Sequence, residues 1–160
     1  MPSAVFAVEN HDGFHREQKY LARWDLGIDD AGSAQIEEHF DQPAMKFLVR
    51  SVNHELSSDE MLKIAQKELK GIATATHSNS SESLLEISAI GVSKGETLAK
   101  LAQRLNISAA DVITFGDNPN DISMLEWSGR SYAMATAHPA AQAAAKEIAP
   151  ECNDDGVAQI

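Results

Sequence analysis

Apolar residues along the chain follow two patterns that change near residue 90. Before it, short runs at Val5 to Val8, Met45 to Val49, Ala73 to His77 and Leu84 to Ser88 read as strands. Asn10-His11-Asp12-Gly13-Phe14 reads as a turn between two such strands. Between the second and third runs, Ser57-Ser58-Asp59-Glu60 makes a capping box that opens a helix with Met61, Ile64, Ala65 and Leu69 on its apolar side. From Gly91 the order becomes helix, strand, helix, strand, helix, as in parallel α/β layers. Ser93 and Glu96 form a capping box ahead of Leu98, Leu101, Ala102 and Leu105, which recur at i, i+3, i+4 and i+7. The apolar strand around Val112 to Gly116 ends in Gly-Asp. Asn118 and Pro119 then suit the cap and first position of a helix that Gly129 stops. Arg130 to Met134 reads as the next strand, and Pro139 starts an Ala-rich helix that Pro150 ends. The pattern predicts an α+β unit over 1–90 and an α/β unit over 91–160.

Composition narrows the functional classes. A formal charge of −11 and a pI near 4.8 lack the basic footprint of a nucleic-acid binder and suit a protein that attracts cations. The single Cys152 excludes an intramolecular disulfide, and neither a signal peptide nor a membrane span is evident. A soluble protein of a reducing cytoplasm, without nucleic-acid or membrane partners, is expected.

Candidate chemistry gathers in the second half. Asp117, where a buried strand stops, and Asp121, in the first turn of the next helix, put two carboxylates at the sheet edge where open α/β sheets bind ligands. Magnesium needs only one or two protein carboxylates plus a substrate phosphate, so these residues read as half of a magnesium-phosphate site. Gly116 permits a close approach there. The plainer reading of either Asp is a turn or cap residue. Lys94, in the first turn of its helix, opposes the helix dipole, a conflict that a bound anion resolves. As a lone feature it reads equally as a solvated lysine.

In Ala44 to Arg50, a period of two places Lys46 and Arg50 on one face and Met45, Phe47 and Val49 on the other. The cationic face reads as solvated or, if it overhangs a site, as substrate-binding. Asn79, in Ser78-Asn79-Ser80-Ser81, reads as a turn residue or a partner for sugar hydroxyls. Six scattered His residues lack metal-ligand spacing, and Trp24 and Trp127 suit packing.

Val-Ser-Lys-Gly-Glu-Thr-Leu, followed after a helix by Val-Ile-Thr-Phe-Gly-Asp-Asn-Pro-Asn-Asp-Ile-Ser-Met-Leu, resembles the third and fourth motifs of haloacid dehalogenase-like (HAD-like) phosphatases. The similarity is to the Cof-type, sugar-phosphatase-like branch. It implies a Rossmannoid core over 91–160, a C2-type cap over 1–90, a Mg2+ cofactor and a small phosphorylated substrate such as a sugar phosphate. By the resemblance Lys94 neutralises the phosphate and the nucleophile, Asp117 ligates the metal, and Asn120 and Asp121 orient the metal's waters and the lysine. The family's aspartyl nucleophile lies in Asp-x-Asp-x-Thr, a motif absent from the 160 residues, with Asn10 in the nearest imitation. The expectation is therefore a chain that starts inside the cap of a longer protein and is inactive alone. Its core strand would have an exposed edge prone to dimerisation or other association. A binding or interaction domain without turnover is the alternative.

Overall fold

The computed structural model describes residues 1, 3–21 and 31–160, so Trp24 lies outside the described residues. The chain divides into two compact units, Met1–Ile90 and Gly91–Ile160.

The first unit is an antiparallel sheet. Its strands β1 (Ala4–Asn10), β2 (Gly13–Arg16), β3 (Ala44–Ser51), β4 (Ala73–Thr76) and β5 (Leu84–Ala89) lie in the order β2-β1-β3-β5-β4. The β1–β2 turn forms because Asn10 Oδ1 accepts from the amides of Asp12 and Gly13 at 3.0 and 3.1 Å. Helix α1 (Ser58–Glu68) opens on the full capping box, Glu60 N–H to Ser57 Oγ at 3.3 Å and Ser57 N–H to Glu60 Oε2 at 2.9 Å. Met61 and Ala65 of α1 pack with Val49 and Leu85, while Val5, Ala7 and Leu48 pack with Tyr20 as a separate cluster.

Two expectations are corrected here. Ile64 is 40% exposed, because the stripe is centred on Met61, Leu62, Ala65 and Leu69 and Ile64 falls more than a quarter-turn from it. Arg50 does not stand on an open cationic face. It is 7% exposed, ion-paired to the equally buried Glu82 at 3.3 Å, with its guanidinium 5.5 Å from the centre of the Tyr20 ring.

The second unit holds a parallel sheet in the order β6 (Ile113–Gly116), β7 (Arg130–Met134), β8 (Glu147–Ala149). Around it run α2 (Lys94–Arg104), α3 (Ile122–Trp127) and α4 (Pro139–Ala144). Leu125, Tyr132, Ala133, Met134, Ala141 and Ala149 form its core. The Ala-rich helix is shorter than expected. It ends at Ala144, and Glu147–Ala149 pairs with β7 as a strand, Lys146 N–H donating to Ser131 Oγ at 3.0 Å. Pairing with a buried neighbour outweighs the helix propensity of alanine. Helix α2 buries Ala102 but leaves Leu101 and Leu105 exposed.

Candidate phosphate and metal site

The second unit brings Lys94, Asp117 and Asp121 together through local geometry. Strand β6 ends at Gly116, and a Cβ there would lie 2.6 Å from Cβ of Asp121. The close approach that Gly116 permits is therefore that of the Asp121 side chain. Asn118, Pro119 and Asn120 turn the chain through a short 3-10 segment, Pro119–Asp121, that leads into α3. This folds Asp121 back under the strand end, where it is 3% exposed.

Every polar atom of that buried carboxylate is used. Oδ2 accepts from the amides of Asp117 at 2.9 Å and Asn118 at 3.1 Å, and Oδ1 accepts from Lys94 Nζ at 2.5 Å. Burial, the strongest single influence, pushes the Asp121 pKa up. The Lys94 hydrogen bond, the two amides and the Lys94 charge together outweigh it, and the net shift is downward. Asp121 is thus a buried, ionised anchor held by Lys94 and two backbone amides.

Asp117 is disposed the other way. It is exposed, its Oδ2 accepts from the Asn118 side-chain amide at 2.8 Å, and its Oδ1 receives no hydrogen bond among the described residues. Its carbonyl accepts from the backbone N–H of His138 at 2.8 Å, which ties the β6 end to the start of α4. One exposed carboxylate with an open oxygen suits a hard cation that keeps most of its waters, and the residues fit magnesium in that sense. Asn120 lies half-buried in the same turn.

Lys94 sits at the start of α2, whose cap is Ser93 Oγ accepting from Glu96 N–H at 3.1 Å. Its ammonium is held on Asp121, and its side chain as a whole is 51% exposed. The other candidates belong to the first unit. Lys46 pairs with Glu86 at 3.1 Å, Arg50 is buried as described, and Asn79 Oδ1 is taken by the Ser81 amide and hydroxyl at 2.9 and 2.8 Å. Sequence reasoning missed the side-chain role of Asn118, the backbone role of His138, and Ser123, whose hydroxyl accepts from Gly95 N–H at 3.1 Å. Pro139 marked a helix start just after His138, whereas the Ser123 contact joins two helices and leaves no mark in local pattern.

Compared with known proteins, residues 9–160 match the family of haloacid dehalogenase-like hydrolases. The chain belongs to this family. The HAD-like chain is 37% identical over 70 residues to a phosphoglycolate phosphatase of Methanothrix thermoacetophila, covering 44% of this chain and 32% of the relative. It is 30% identical over 105 residues to the 5-amino-6-(5-phospho-D-ribitylamino)uracil phosphatase YcsE of Bacillus subtilis, covering 66% of this chain and 42% of the relative. Among solved structures, a subclass IIB sugar phosphatase of the HAD superfamily superimposes with a TM-score of 0.78 at 16% identity, covering 98% of this chain and 59% of that one. A protein from Streptococcus mutans gives 0.73 at 26% identity, covering 99% and 60%. The HAD-like chain thus spans less than half the length of these curated relatives. Its mixed α/β fold is that of the subclass IIB structures.

Proposed function

We propose that this HAD-like chain provides the lysine and metal side of a magnesium-dependent phosphomonoester hydrolase acting on a small phosphorylated metabolite such as a sugar phosphate. In this reading residues 1–90 form a C2-type cap and 91–160 part of the core. The observation that supports it is the division of labour between the two aspartates: Asp121 is buried and spent on Lys94 and two amides, while Asp117 is exposed with an open oxygen. Lys94 then binds a phosphate oxygen while Asp121 fixes the ammonium's direction, and Asn120 is a further donor in the same turn. Asp117 would hold Mg2+, which when bound supplies positive charge to neutralise the phosphate. The names of the relatives, phosphatases of small phosphorylated molecules, point the same way.

Inorganic phosphate titrated into the chain by NMR with millimolar magnesium tests this. The expected result is weak binding that falls by roughly tenfold or more in Lys94→Ala, the scale of a charge-assisted contact, with Asp117→Ala weakening the magnesium response. Equal binding by wild type and both variants overturns it.

A binding domain without turnover is the alternative reading. The two readings share the anion site and differ in chemistry. Without the carboxylate nucleophile of Asp-x-Asp-x-Thr, the chain by itself is expected not to hydrolyse an aryl phosphate. Turnover by the purified chain, abolished by Asp117→Ala, would refute that expectation.

A further inference from the structure

We propose that Ser123 is the positioning residue for Lys94, setting where the ammonium stands by clamping the first turn of α2 onto α3; the functional consequence, though not the clamp, rests on the phosphate-binding reading above. The first-turn amides of a helix have no partners inside it. In α2 the Glu96 amide is taken by Ser93 Oγ, and the Gly95 amide is taken across the interface by Ser123 Oγ at 3.1 Å. The contact is also steric. A Cβ on Gly95 would lie 2.4 Å from the Ser123 carbonyl oxygen and 2.5 Å from its carbonyl carbon, so the buried Gly95 rests directly on the backbone of α3.

Lys94 is the residue before Gly95, and its side chain is half exposed. Its position is therefore defined at two points: the ammonium on Asp121 Oδ1, and the backbone one residue from the Gly95–Ser123 bond. Both points lead to the same short stretch, Asp121 to Ser123. Where a lysine's ammonium can stand depends on its backbone as well as on its charged tip, and the bond at Gly95 fixes that backbone against α3. The clamp also spends the Gly95 amide, so a phosphate at this end of α2 is bound by the ammonium rather than by that N–H.

The test is acylation footprinting of the full chain with acetic anhydride, read by mass spectrometry, beside an inorganic phosphate titration. In Ser123→Ala, Lys94 should acylate faster relative to Lys63, Lys67 and Lys100 by roughly three- to tenfold, the scale of one lost hydrogen bond. Ser123→Thr, which keeps the hydroxyl, should restore the wild-type ratio. A general loosening of the fold would also speed Lys46, paired with Glu86, and Lys146, held on the carbonyls of Ser128 and Gly129, and that result, or an unchanged Lys94 ratio, overturns the proposal. Should Ser123→Ala fail to fold, Ser123→Cys, which keeps the volume but weakens the acceptor, provides the same comparison. Phosphate affinity should fall in Ser123→Ala and return in Ser123→Thr. If wild type binds no phosphate while the Lys94 ratio moves as stated, the phosphate reading fails and the clamp stands.

Discussion

Asp121 carries more of the site than any other side chain, and its chemistry fixes a pH dependence. Its folded pKa is lowered, so its ionised form stabilises the fold fully above the ordinary aspartate value, and that contribution is lost as pH falls through the folded value. Asp121→Asn should therefore be destabilised by about 2–3 kcal/mol near neutrality, because it weakens a buried charge-assisted network. The difference from wild type should shrink as the pH falls below the ordinary aspartate range and through the lowered folded value. Urea unfolding of the two proteins at several pH values checks this, and a gap that is constant with pH counts against it. Local pattern placed Lys94 and Asp121 each in a helix's first turn, but their contact, 27 residues apart, was implied only by the resemblance to the family. Arg50 was not legible. Alternation along β3 places it with Lys46, but what covers that face is Tyr20, remote in sequence, and the partner Glu82 comes from a later loop.

At the scale of elements, the strands of the first unit and the capped starts of α1 and α2 were legible, since cap residues and turn residues act locally. The end of the last helix was not, because β8 exists only through its ladder with β7. Helix α1 provides a contrast. Met61 is fully buried, so Met61→Ala should cost about 2–5 kcal/mol. Ile64→Lys, one turn further on, should change stability by no more than about 0.5 kcal/mol. Chemical denaturation of the two variants decides whether periodicity or observed burial is the better guide to this helix.

For the whole molecule, the parallel sheet raises the question of its margins. Neither β6 nor β8 has a strand on its outer side among the described residues, and Ile113 and Ile148 are exposed on these two strands. Such margins favour association, opposed by the net charge of −11. Light scattering should show self-association that grows with salt as the repulsion is screened. A monomer at both low and high salt would show that the margins are inert. Among the described residues no helix is long and apolar enough to cross a membrane.

The carboxylate of Asp121 touches the Lys94 ammonium with one oxygen and the amides of Asp117 and Asn118 with the other. Any ligand that draws the ammonium away changes the electron density those amide protons feel. Their two resonances are thus a built-in spectroscopic gauge of occupancy at Lys94, readable on unmodified protein without a substrate analogue or an attached dye.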